Sequence, residues 1–198
     1  MELDELKNIQ YSIFMNSDNF IDYTNRINLA FSKTDQSSIK QVLFVLNQSF
    51  ESDARIWIAG NGGSAATASH FATDLSRCKN SRYKPIKGIS LCDNSGLITA
   101  ISNDFGSEYI YSRQLSNLAT SGDLLIVLSA SGNSKNILEV LSWAKNNQVK
   151  TIALTGFDGG EANKMADISL HIPTEIGDYG VAEDTHSIIC HFLSSQFK

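Results

Sequence analysis

The sequence predicts an α/β fold: a doubly wound parallel sheet of five strands flanked by helices, with further helices at the N-terminus. Three observations carry this. Five short β-rich runs stand along the chain, RIWIAG (55–60), IKGISL (86–91), DLLIVLS (123–129), VKTIALTG (149–156) and DISLHI (167–172). Each is separated from the next by a stretch of helical or capping character, the pattern of parallel strands joined by crossover helices on both faces. The runs LLIVL and TIAL are almost wholly apolar, as strands covered on both sides must be.

Taken in order, the apolar residues Leu6, Ile9 and Ile13, then Phe20, Tyr23, Ile27 and Phe31, recur at helical spacing. Asn and Asp at 16–18 mark a break, so two helices are expected there. A third helix begins at Ser37 or Ser38, either of which can cap it, and runs through IKQVLFVLNQSF. Residues 64–78, 94–118, 134–147 and 159–166 read as crossover helices, and 182–197 as the final one. With 198 residues, 42% hydrophobic content and only 2 prolines, one core and one domain over 1–198 are expected, N-terminal helices over 1–50 and an α/β core over 51–198.

Charge and cysteine usage narrow the function classes. A net charge of -5, with 16 scattered Lys and Arg, supplies no basic field for a nucleic-acid backbone, so nucleic acid is not an expected partner. Cys78, Cys92 and Cys190 are odd in number, lack CxxC spacing and read as small hydrophobes in a reducing cytoplasm. MELDELKNIQ carries acidic residues where a signal peptide needs positive charge, and no run approaches the roughly 20 apolar residues of a membrane span. A soluble, intracellular protein without a membrane partner is the expectation.

Two loops carry the chemistry. Gly60-Asn61-Gly62-Gly63-Ser64 follows one strand and opens a helix; its glycines let backbone N–H groups turn toward an anion at the positive end of the helix dipole. Ser129-Ala130-Ser131-Gly132-Asn133-Ser134 stands at a second strand-to-helix junction and offers three hydroxyls to phosphate oxygens. Either loop alone is more often a bare β–α connection with an N-cap serine. Together, at the carboxyl ends of parallel strands, they point to one anion site. No GxxxxGK[ST] lysine and no GxGxxG spacing are present, which favours a small phosphorylated metabolite over a nucleotide.

The segments GNGGSAATASHFATDL, SNDFG, SRQ, GDLLIVLSASGNS and TIALTGFDGG resemble the sugar isomerase (SIS) domain, specifically the phosphoheptose isomerases, from about residue 50 onward. The resemblance implies the SIS fold, conversion of sedoheptulose 7-phosphate to D-glycero-D-manno-heptose 7-phosphate for bacterial surface glycans such as lipopolysaccharide or capsule, a homotetramer with active sites at subunit contacts, and Zn²⁺. It implies substrate contacts at Asn61, Gly62, Gly63, Ser64, Asn103, Asp104, Ser129, Ser131, Ser134 and Glu183. It implies metal ligation by His70, Asp74, Glu183 and His191, with Asp74 as base and His191 as acid. Where the family carries Glu, Gln and Thr, this chain has Asp74, Glu183 and Ala130, and Gly180 replaces an Asp. These departures bear on which sugar phosphate is the substrate, and a non-catalytic sugar-phosphate-binding module of the same fold is the competing reading.

Read from the residues themselves, His70 and Asp74 are four apart on a helix and share a face, suited to metal ligation, to a base and its orienting partner, or to a surface ion pair. Glu183 and His191, eight residues and about 12 Å apart on one helix, cannot readily reach one ion. Either Glu183 precedes the helix or a second subunit completes the site. His186 reads as a surface or interface residue, His191 as either an acid or an interface residue, and His171 as structural.

Overall fold

The computed structural model describes residues 17–79 and 84–197. Helices α1 (Ser17–Lys33) and α2 (Gln36–Glu51) lead into β1 (Arg55–Gly60), α3 (Gly63–Ser76), β2 (Lys87–Ser90), α4 (Ser95–Phe105), a 3-10 turn (Ser107–Tyr109) and α5 (Ser112–Leu118). Then follow β3 (Leu124–Ser129), α6 (Lys135–Asn146), β4 (Lys150–Thr155), α7 (Ala162–Met165), β5 (Ile168–His171) and α8 (Tyr179–Ser195). The five strands form one parallel sheet in the order β2-β1-β3-β4-β5.

Alternation along each strand divides the core. Ile56, Ile58, Leu124, Ile126 and Leu128 face one layer, where Phe71 and Leu75 of α3, Val42 and Leu46 of α2 and Ile189 and Leu193 of α8 cover them. Trp57, Ala59, Leu125 and Val127 face the other, against Leu115 of α5 and Ile137, Val140 and Leu141 of α6. At the strands' N-terminal edge the buried Asp123 accepts hydrogen bonds from Arg55 N, Trp57 Nε1 and Thr120 N, at 3.0, 2.9 and 3.0 Å, and so locks β1 to the start of β3.

Several sequence expectations need correction. The first N-terminal helix falls at residues outside those described. The helix expected from Ser37 or Ser38 is capped instead by Asp35, whose carboxylate accepts from Ser37 N at 2.9 Å. The stretch 94–118 is two helices and a 3-10 turn, because Gly106 at φ 111° breaks the run. The final helix begins at Tyr179, so Glu183 lies inside it.

His186 is the largest departure: it is fully buried, on the sheet-facing side of α8. Among the described residues neither ring nitrogen has a hydrogen-bond partner, although the Thr155 carbonyl lies close enough to oppose the shift slightly. Burial pushes the imidazole pKa down to about 4, with the neighbouring His171 adding to the effect. His171 itself, its Nδ1 3.2 Å from Thr155 Oγ1, is held below the ordinary histidine value chiefly by burial. The apolar face of this helix, with Val181, Ile189 and Leu193, readily hides a neutral ring, which sequence alone cannot distinguish from a surface one.

A histidine kept neutral by the fold is protonated more readily in the unfolded chain, so acid favours unfolding between pH 6.5 and 4. Urea melts at pH 7 and pH 5 should show His186 withdrawing about 2 kcal/mol of stability on acidification. His186→Phe should lose less than wild type over the same interval. Equal losses would place the acid sensitivity elsewhere.

Candidate functional site

β1 and β3 are neighbours, yet the helices that follow them leave to opposite faces, α3 with the layer of Phe71 and α6 with that of Ile137. A crevice opens at such a switch point, beyond the carboxyl ends of the strands. Both Ser/Gly loops border it. Asn61, Ser64, Ser129, Ala130, Ser131, Ser134, Leu128, Tyr179 and Glu183 line one cavity of about 100 Å³.

Backbone conformation shapes this cavity. Gly62, at φ 56°, turns the chain into α3. At Gly63 the Glu183 carboxylate occupies the place a Cβ would need, so only glycine lets α8 approach so closely. Gly132, at φ 63°, packs on the Gly159 carbonyl and accepts from Ala162 N at 2.9 Å, while Asn133 Oδ1 accepts from Glu161 N at 3.0 Å. The loop after β4 thus props the serine loop from behind.

The hydroxyls are arranged to donate. Ser129 Oγ accepts from Gly132 N at 3.0 Å and Ser131 Oγ from Asn133 N at 3.2 Å, which uses oxygen lone pairs and leaves the O–H protons for a ligand. Ser134 occupies the N-cap of α6 without making a side-chain cap bond. Among the described residues no Lys, Arg or His lines the cavity, and Glu183 is the one formal charge there. An anion here is met by neutral donors and by the positive ends of α3 and α6.

A second group of side chains lies further along α3. His191 Nε2 and His70 Nε2 are 3.1 Å apart, and each is 3.8 Å from Asp74 Oδ2. Asp74 is 7% exposed and accepts a 3.4 Å hydrogen bond from the buried Ser194 Oγ, whereas both imidazoles are open to solvent. Two facing imidazole nitrogens must share a proton or a cation. Tetrahedral Zn²⁺ with Zn–N bonds near 2.0–2.1 Å separates its nitrogen ligands by about 3.4 Å, so two imidazoles and a carboxylate fit that ion in donor type and spacing.

Helices α3 and α8 run side by side in the same direction. Gly63 meets Glu183, His70 meets His191 and Asp74 meets Ser194, eleven residues separating the first and last contacts on both helices. Glu183 therefore sits at the cavity and does not join the metal-competent cluster within this chain, contrary to the implied four-ligand set. Its position within α8 also removes the option that it precedes the helix. Asn103 and Asp104, expected as substrate contacts, are exposed at the end of α4, joined by a 2.9 Å bond from Asn103 Nδ2 to Asp104 Oδ1, and outside the cavity of a single chain.

Sequence reasoning missed Tyr179, which lines the cavity and stacks edge-on against Phe157 at 5.0 Å, because the helix start was placed too late. It also missed Ser194, whose small polar side chain in an apolar helix was the available signal. Replacing Ser131 by Ala should weaken binding of a sugar phosphate by about 1–3 kcal/mol in isothermal titration calorimetry. An equal loss for the same sugar without its phosphate would contradict a phosphate contact.

The SIS domain model matches residues 19–156. The phosphoheptose isomerase of Helicobacter pylori is 37% identical over 158 residues, 80% of this chain and 81% of the relative. That of Campylobacter concisus is 41% identical over 139 residues, 70% and 72% of the two chains. The solved phosphoheptose isomerase of Neisseria gonorrhoeae superposes with a TM-score of 0.82 at 28% identity, covering 96% of this chain and 98% of the other. The chain belongs to the SIS domain family and, within it, to the phosphoheptose isomerases.

Proposed function

We propose that this chain is an aldose–ketose isomerase that converts sedoheptulose 7-phosphate to D-glycero-D-manno-heptose 7-phosphate, a heptose supply for a bacterial surface glycan. One observation carries the reading: a single parallel helix pair bears the anion cavity at its head and His70, Asp74 and His191 farther down. Seven helical residues separate Gly63 from His70, a rise of about 10 Å. A phosphorylated sugar of several carbons, anchored by its phosphate among Ser64, Ser129, Ser131 and Ser134, has the length to bring its carbonyl end toward the three side chains.

The isomerisation moves hydrogen without net gain or loss. A proton leaves C1 while the C2 oxygen is protonated, giving an enediol; the C1 hydroxyl then yields its proton as C2 is reprotonated. On this reading His191 is the acid, and the facing His70 ring, open to solvent where Asp74 is not, takes the proton from C1. Asp74, implied as base, is buried behind both rings, and 3.8 Å from each it is better situated to orient them and to stabilise their cationic forms than to reach a carbon-bound proton. The shorter aspartate and its Ser194 anchor suit that withdrawn position.

The same three side chains would hold Zn²⁺, with the fourth ligand position open to substrate or to a carboxylate of a second copy. When bound, the ion would polarise the substrate carbonyl. A homotetramer is supported by exposed Ile188 and Phe192 on α8, beside His191, and by exposed Phe20 and Ile21 on α1. Three cysteines without CxxC spacing, Cys78, Cys92 and Cys190, suit a reducing cytoplasm, and no described helix is long and apolar enough to cross a membrane.

Incubation with sedoheptulose 7-phosphate, followed by NMR, should yield the aldose phosphate. No product with or without Zn²⁺ would remove the heptose assignment. His191→Ala should abolish turnover with melting temperature and assembly unchanged, and unaltered kcat would retire its role. Activity lost on chelation and restored by Zn²⁺ in the wild type, with Zn²⁺ binding lost in His70→Ala, supports the three side chains as ligands; activity that survives full metal removal leaves proton transfer to the imidazoles with Asp74 orienting them.

A further inference from the structure

Asn136 stands in the first turn of α6, two residues beyond Ser134. Its side chain pairs reciprocally with that of Asn61 on the first loop. Asn61 Nδ2 donates to Asn136 Oδ1 and Asn136 Nδ2 donates to Asn61 Oδ1, both at 2.8 Å. The Tyr111 hydroxyl, which donates to the Gly60 carbonyl, also lies 3.2 Å from Asn61 Oδ1. Asn61 lines the cavity, and Asn136 lies behind it.

A planar two-bond amide pair fixes both the separation of its partners and the rotation of each amide. Asn61 spends its oxygen and one of its N–H groups on the pair, which leaves one N–H for a ligand. This pair ties the first loop directly to the helix that the second loop opens, joining residues 75 apart in sequence. We infer that Asn136 is a positioning residue: it holds Ser64 at a set distance across the cavity from Ser129, Ser131 and Ser134, and aims the remaining amide hydrogen of Asn61. The inference rests on reading that cavity as a phosphate site.

Both amides are only partly buried, so their two bonds add little to stability compared with what misplacement costs a ligand that must meet several hydroxyls together. Loss of the tie is expected to widen the cavity and weaken phosphate binding while the fold persists.

The test measures inorganic phosphate and sedoheptulose 7-phosphate binding by calorimetry for wild type, Asn136→Ala, Asn61→Ala and the double variant, with Asn136→Ser alongside should the alanine variant fold poorly. Asn136→Ala or Asn136→Ser should bind both probes about tenfold more weakly, with a melting temperature close to wild type. The double variant should bind no more weakly than Asn61→Ala, because Asn136 acts through Asn61. Undiminished binding in the Asn136 variants, or losses that add in the double variant, would overturn the positioning role alone. Wild-type protein that binds neither probe would overturn the phosphate reading itself.

Discussion

The strand order imposes the constraint on which the rest depends. Because β1 and β3 lie side by side while their crossover helices depart to opposite faces, the sheet cannot be closed over at their carboxyl ends, and two helix N-termini converge on the gap. Loops that in another setting would be plain connections become the two walls of one cavity. The register that pairs Gly60 with Leu128 brings the first residues of both loops to the same level.

Among the described residues that cavity carries no fixed cation to meet an anion. Hydroxyls whose oxygens are already engaged by backbone N–H groups, a capping serine that does not cap, and two helix dipoles supply the field instead. Neutral donors bind a phosphate without the strongly salt-dependent grip of clustered lysines, and they leave room for Glu183, a carboxylate that a cationic pocket would capture as an ion pair. Opposite, the parallel course of α3 and α8 makes one helix pair serve both ends of the site. Asp74 sits in the helix seam, where Ser194 holds it, and the two imidazoles face solvent. Its partners thus lie within the helix pair, and the Glu183 carboxylate lies at the other end of that pair, beside Gly63.

Much of this was legible in the residues. The five strands stand out because LLIVL and TIAL have no alternation to confuse them with surface strands, and both loops were marked by glycine and serine at strand-to-helix junctions. The pairing of His70 with Asp74 followed from helical spacing alone. What the sequence hid were relations between distant segments. Nothing in SGNSKN announces that Asn136 will meet Asn61, nor does a histidine in THSIIC declare whether it faces solvent or the sheet. The parallel packing of α3 on α8, which sets Glu183 beside Gly63 and His191 beside His70, rests on Gly63 permitting a close approach that only the folded chain reveals. Asn103 and Asp104 were singled out by resemblance, and a single chain leaves them on an exposed helix end.

The central claim is that neutral donors from two loops converge on one phosphate. A crystal structure of the protein with bound sedoheptulose 7-phosphate tests it most directly. The account predicts phosphate oxygens within hydrogen-bonding distance of the Ser64, Ser129, Ser131 and Ser134 hydroxyls, with the sugar running toward His70 and His191. A phosphate bound away from those serines, or a sugar running in the opposite direction, would contradict it.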